Sequence, residues 1–197
     1  MFLEIPVNQQ DNLGWIEVIT GSMFSGKTEE LIRRLKRAII AKQSVKIFKP
    51  SLDNRYDDTH VVSHDKNQIS SLVVDNARQI LEFVDVADIQ VVGIDEAQFF
   101  DMDIVDVANE LANNGVRVII AGLDMDFRGK PFGPMPYLMA VAEYVTKVHA
   151  ICTRTGNLAH YSHRITPSED LILVGEKELY EPLSRAAFVA EMKKQSK

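Results

Sequence analysis

The sequence predicts an α/β protein with a parallel sheet covered by helices on both faces. Apolar, β-branched runs alternate along the chain with segments of helical period, which is the pattern of strand–helix–strand units. Two of the runs, Gln90–Asp95 (QVVGID) and Val116–Gly122 (VRVIIAG), are almost continuously apolar, as strands buried on both faces are. The run nearest the N-terminus, Trp15–Thr20, opens directly onto Gly21-Ser22-Met23-Phe24-Ser25-Gly26-Lys27-Thr28, which fits G-x-x-x-x-G-K-[ST] at every fixed position.

The elements follow in order. Trp15–Thr20 reads as a strand. Lys27–Lys42 places Leu31, Ile32, Leu35, Ala38 and Ile39 on one helical stripe. Val45–Pro50 is a second strand, and Ser51–Asn67, charged and without period, a long loop. Ile69–Val74 reads as a strand, and Asn76–Val84 as a helix capped by Asn76. After the strand ending at Asp95, Ile104–Ala112 is helical and closes on Asn113, Asn114 and Gly115. Val116–Gly122 is a strand, Tyr137–Glu143 a short helix and Tyr144–Ile151 a further strand. Beyond Cys152 the chain turns polar, with a short strand at Leu171–Val174 and a helical, frayed C-terminus.

A chain of 197 residues makes one domain with a small appendage. The expected divisions are an N-terminal extension (1–14), a nucleotide-binding core (15–150), a small substrate-binding unit (151–190) and a tail (191–197). With 46% hydrophobic and 25% charged residues the chain is neither disordered nor fibrous, and no apolar stretch is long enough to span a bilayer. A net charge of −6 argues against nucleic acid as a partner. The single cysteine, Cys152, cannot form an intrachain disulfide, and the stretch before Trp15 has neither signal-peptide nor transit-peptide character, so a cytoplasmic protein is expected.

The chemistry concentrates at three strand ends. In the phosphate loop two glycines let successive N–H groups turn inward around a polyphosphate. Lys27 supplies charge to the β- and γ-phosphates, the Thr28 hydroxyl is a Mg²⁺ ligand, and the following helix adds its positive end. A chance match somewhere in a chain of this length is on the order of one per cent. Asp95 and Glu96 close a buried strand, and neighbours there point to opposite sides. If that strand lies beside the first, Asp95 reaches the metal shell and Glu96 is free to take a proton from an attacking hydroxyl. The pair leaves water and an alcohol open as the attacking group. The third segment, Gly122–Gly133 (GLDMDFRGKPFG), contains Asp126-x-x-Gly129, which imitates a GTPase switch. No N-K-x-D element for guanine follows, so that reading is rejected. Phe127, Arg128, Lys130 and Phe132 instead suit a second, nucleoside-type substrate.

Taken together, GSMFSGKT, DNRYDD (53–58), SHD (63–65), DEAQFF (95–100) and GLDMDFRGKPFG resemble the type II thymidine kinase family, collinearly from about Trp15 to Arg185. The resemblance implies a RecA-like P-loop core with a small C-terminal lasso domain, and Mg²⁺-dependent transfer of the ATP γ-phosphate to the 5′-hydroxyl of thymidine. It implies Glu96 as general base, and an ATP site of Gly21, Ser22, Met23, Phe24, Ser25, Gly26, Lys27, Thr28, Arg55, Asp95 and Gln98, with Thr28 and Asp95 on Mg²⁺. The implied nucleoside pocket comprises Met23, Asp53, Phe99, Leu123, Phe127, Ser162, Leu171, Ile172, Leu173, Val174 and Tyr180. A homotetramer inhibited by thymidine triphosphate is also implied.

The sequence departs from the family in one respect. Where most members hold the lasso with a zinc ion, this chain has Cys152, Thr155, Ser184 and Ala187, and a closed zinc site needs four strong ligands. No structural zinc is therefore expected, and packing of Leu158, Leu183 and Phe188 is expected to take its place. His149, Cys152, His160 and His163 have the spacing of a substitute site, but their elements do not favour one.

Overall fold

The computed structural model describes residues 13–52, 60–62, 68–166 and 179–195. Strand β1 (Trp15–Thr20) is followed by helix α1 (Lys27–Ile40), β2 (Val45–Pro50), the short strands β3 (His60–Val62), β4 (Gln68–Ser70) and β5 (Leu72–Val74), and α2 (Gln79–Phe83). Then come β6 (Val91–Ile94), a 3-10 turn at Ala97–Phe99, α3 (Asp103–Asn113), β7 (Arg117–Gly122), α4 (Met135–Val141) and β8 (Tyr144–Lys147). The chain ends in β9 (Ala150–Ile151), β10 (Leu158–Ala159), β11 (Tyr161–Arg164), β12 (Tyr180–Leu183) and α5 (Arg185–Gln195). Among the described residues no helix is long and apolar enough to cross a membrane.

Six strands form one sheet in the order β5-β2-β6-β7-β1-β8, and every pairing in it is parallel. Period-two alternation splits its side chains between two cores. One face carries Ile16, Val18, Phe48, Val92, Ile94, Val118 and Ile120 against α2, α3 and α4. The other carries Ile19, Ile47, Val91, Ile119 and Ala121 against Leu31, Ile32, Leu35 and Ala38 of α1.

Helix α1 departs from the expected stripe in two places. Ile39 is half exposed, whereas Arg34 is wholly buried. The reason lies on β1. Glu17 falls on the α1 face, inside the sheet, and accepts hydrogen bonds from Arg34 Nη1, Arg117 Nε and Trp15 Nε1, each at 2.7 Å. A buried carboxylate requires such partners, so the helix turns a charge inward.

Other boundaries also moved. The segment read as one strand over Ile69–Val74 is the end of β4 and then β5, and β4 pairs antiparallel with β3 inside the region read as a loop. Only Gln79–Phe83 of the Asn76–Val84 segment is helical, although Asn76 Oδ1 does accept the Gln79 amide at 3.1 Å. The run Tyr144–Ile151 breaks after Lys147, where the Val148 amide donates to the Thr20 carbonyl at 2.8 Å and the chain leaves the sheet. Helix α5 extends to Gln195, into the segment read as tail.

After β8 the chain builds a smaller unit of two antiparallel strand pairs, β9–β10 and β11–β12, and α5. Its core is Ala150, Cys152, Ala159, Tyr161, Leu183 and Phe188, with Tyr161 and Phe188 stacked at a centroid distance of 4.3 Å. Leu183 and Phe188 are buried as expected, but Leu158 is 54% exposed because it lies on the outer side of β10. Phe24 and Met125 reach this cluster from the larger core. The strand expected at Leu171–Val174 lies outside the described residues.

Candidate active site

The phosphate loop connects β1 to α1 at the C-terminal edge of the sheet. Gly21 must be glycine, since a Cβ there would sit 2.1 Å from the Val148 carbonyl oxygen. Gly26, at φ 83°, precedes the first turn of α1, and Phe24 is also left-handed at φ 63°. The Ser25 hydroxyl donates to the Ser22 carbonyl at 2.7 Å, and Lys27 Nζ donates to the same carbonyl at 2.9 Å. Thr28, partly exposed, opens α1 beside it. This folded loop with a helix N-terminus behind it is suited to an anionic polyphosphate.

Strand β6 does not lie beside β1; β7 runs between them. Two strand spacings, roughly 10 Å, therefore separate the Asp95 backbone from the root of the phosphate loop. Asp95 follows Val91 and Gly93 in register, on the face that α1 covers, and is 6% exposed. Glu96 is left-handed at φ 51°, its amide donates to Asp95 Oδ1 at 2.9 Å, and its carboxylate accepts from Gln98 Nε2. Gln98 is buried, and its Oε1 accepts the Leu123 amide at 2.9 Å.

The candidate nucleoside pocket is partly assembled. Phe99 meets Phe132 edge-on at 5.8 Å. The Arg164 guanidinium sits 3.8 Å from the Phe127 ring centroid, and its Nε and Nη2 donate to the Tyr180 hydroxyl at 3.1 and 2.8 Å. Arg164 thus ties Phe127 to Tyr180, a role the sequence reading did not single out. Its signal was the strand YSHR inside the stretch read only as polar. Ser162 is buried, and its hydroxyl accepts the Met23 amide at 2.9 Å. Leu123 follows β7 and is partly exposed. Asp53, Arg55, Leu171, Ile172, Leu173 and Val174 lie outside the described residues.

The segment that imitated a GTPase switch is a local turn. Asp126 Oδ1 accepts the amides of Arg128 and Lys130, each at 2.9 Å, and Gly129 packs on Tyr161 and Phe188.

Cys152, Thr155, Ser184 and Ala187, the four positions read above against zinc ligands, are joined by hydrogen bonds. The Thr155 hydroxyl donates to the Ser184 hydroxyl at 3.3 Å. Burial pushes the Cys152 thiol up, but hydrogen bonds from Thr155, from backbone groups of Ser184 and Arg154 and from the Ser184 hydroxyl outweigh it and bring it to about 6. Around them Arg154 bridges Glu181 and Glu191, linking β12 to α5. One thiol, two hydroxyls and a methyl do not fit zinc. The His149 and His160 rings stand 4.6 Å apart, while His163 packs on Phe188. Among the described residues no cluster of three or more His, Cys, Asp or Glu can hold a metal ion, so the H-x-x-C…H-x-x-H spacing does not converge.

A parallel sheet with a G-x-x-x-x-G-K-T loop at one strand end and an acidic pair two strands away is consistent with a P-loop-like kinase fold. Comparison with known proteins narrows the class. The family model described as thymidine kinase matches residues 14–188. A thymidine kinase of Bacteroides fragilis is 58% identical over 188 residues, covering 95% of this chain and 94% of that protein. One from Rhodothermus sp. is 60% identical over 177 residues (90% and 82%), and one from Porphyromonas gingivalis 58% identical over 190 (95% and 92%). The chain belongs to the thymidine kinase family.

Proposed function

We propose that the protein transfers the γ-phosphate of ATP to the 5′-hydroxyl of thymidine, giving thymidine monophosphate. Family membership supports ATP-dependent phosphoryl transfer and thymidine as acceptor. The observation that carries the reading to residues is the shared sheet edge on which the phosphate loop, Asp95 and Glu96 all stand.

The loop from Gly21 to Thr28 cradles the triphosphate through its amides, and Lys27 leaves the Ser22 carbonyl to meet the phosphate charge. Arg55 completes the phosphate contacts. Thr28 and Asp95 offer hard oxygen donors of the kind Mg²⁺ takes, and that ion when bound neutralises phosphate charge. Glu96 accepts the proton of the 5′-hydroxyl as it attacks in line. Met23, Asp53, Phe99, Leu123, Phe127, Ser162, Tyr180 and the Leu171–Val174 segment enclose the nucleoside. The small unit stands without structural zinc, held by the Cys152–Thr155–Ser184 contacts and the Arg154 bridges. Resemblance alone supports a homotetramer, inhibition by thymidine triphosphate and a cytoplasmic location.

The test is product formation from γ-labelled ATP with thymidine, with deoxycytidine and with no acceptor. Label in thymidine monophosphate is expected, with little hydrolysis when the acceptor is omitted. Glu96→Gln is expected to lose turnover by orders of magnitude while ATP still binds; near-normal turnover refutes the base assignment.

A further inference from the structure

We infer that Gln98 is a positioning residue for the phosphoryl transfer, its side-chain amide fixing the Glu96 carboxylate and the Leu123 backbone in one relation. The inference rests on the reading of Glu96 as the base that deprotonates the nucleoside.

The orientation of the amide follows from its neighbours. The Leu123 N–H can only donate, so the oxygen of Gln98 faces it, at 2.9 Å. The nitrogen therefore faces Glu96, whose carboxylate accepts. Gln98 has almost no room to do anything else. It is 2% exposed. A Cβ on Gly122 would stand 2.9 Å from Gln98 Oε1 and 2.6 Å from Met135 Sδ. A Cβ on Gly133 would stand 2.4 Å from the Gln98 carbonyl oxygen. Two glycines thus shape a slot that grips both the side chain and the backbone of this residue.

Glu96 needs such a grip. It occupies the left-handed region, uncommon for a residue with a side chain, at φ 51° and ψ 40°. Backbone bonds to Asp95 Oδ1 and from Phe99 N hold its main chain, and Gln98 holds its carboxylate. A proton acceptor misplaced by about 1 Å costs on the order of 10²-fold in rate. Leu123 belongs to the candidate nucleoside pocket, so one amide sets the base and the pocket wall in register. Gln98 acts here through Glu96.

The experiment compares Gln98→Glu and Gln98→Leu with wild type, and repeats Gln98→Glu in a Glu96→Gln background. Glutamate keeps an acceptor for the Leu123 amide but puts a like charge against Glu96. We expect kcat to fall about 30-fold or more with KM for both substrates within about threefold. Leucine loses both bonds, and KM for thymidine should rise as well. In the Glu96→Gln background the Gln98→Glu change should add less than about threefold, because its target is already gone. An unchanged kcat, a rise in KM for ATP alone, or a full multiplicative loss in the double variant overturns the inference. Wild type inert toward thymidine overturns the proposed function with it; active wild type with an unaffected Gln98→Glu enzyme overturns the positioning role alone. Melting curves establish that each variant is folded, and the near-isosteric glutamate variant decides the matter where leucine is not.

Discussion

The Ser162 hydroxyl accepts the backbone N–H of Met23 at 2.9 Å, joining the small C-terminal unit to the phosphate loop. The Ser22 hydroxyl makes a second, longer link to the Ala159 carbonyl at 3.4 Å. A loop amide that would otherwise lack an acceptor is satisfied by β11. Ser162→Ala should leave the Met23 amide without its partner, at about 1 kcal/mol. Roughly fivefold increases in KM for both ATP and thymidine are expected, with Ser162→Thr close to wild type. Steady-state kinetics with each substrate varied in turn check this; an effect on thymidine alone disconnects the hydroxyl from the loop.

Arg154 spans Glu181 on β12 and Glu191 on α5, around the Cys152–Thr155–Ser184 cluster. The pairs are partly exposed, so each contributes modestly. Arg154→Met is expected to lower the melting temperature by about 1–3 °C and to make the C-terminal unit more sensitive to protease. Prolonged treatment with a strong chelator should leave the wild-type melting curve where it was. A chelator-induced drop, with zinc recovered in the filtrate, reinstates the metal.

Where one physical signal dominated, the sequence was readable. The parallel strands β6 and β7 are apolar on both faces, and the phosphate loop is fixed by glycine geometry, so both stand where the residues placed them. The insertion of β7 between β6 and β1 was not legible, because strand order is set by long-range pairing that leaves no local trace. Arg34 was invisible for a related reason: a helical stripe is counted in apolar residues, and only a carboxylate on another element turns an arginine inward. Gln98 sat within the DEAQFF motif and resembled an ATP contact; its bonds to Glu96 and Leu123 depend on where β6 and β7 end.

Glu17 and Arg34 are both fully buried at the α1 face of the sheet, where Arg117 and Trp15 also bond Glu17, and Thr146 and the half-buried Glu30 also bond Arg34. Glu17→Leu would leave two guanidinium groups facing an apolar side chain. Removing one partner of such a buried pair costs about 3–5 kcal/mol. Urea titration should show the midpoint moving down with little change in slope. A loss under about 1 kcal/mol would mean that Glu30, 2.8 Å from Arg34 Nε, or water takes over from the missing carboxylate.

His163 lies on β11 against Phe188, and burial lowers its pKa below the ordinary 6.5. Glu181 and Glu191 raise it and Arg154 lowers it further, without overcoming the effect of burial. The folded protein therefore prefers the neutral ring. A group of this kind contributes stability that is complete above its unfolded value of 6.5 and is lost as the pH falls below that toward the folded value. His160, half-buried beside His149, shifts in the same direction for the same first reason. Melting temperature should accordingly decline on acidification through the range just below 6.5, and His163→Gln should flatten part of that decline. Paired melting series of wild type and variant across this range check the sign: parallel curves would mean that His163 charges as readily folded as unfolded.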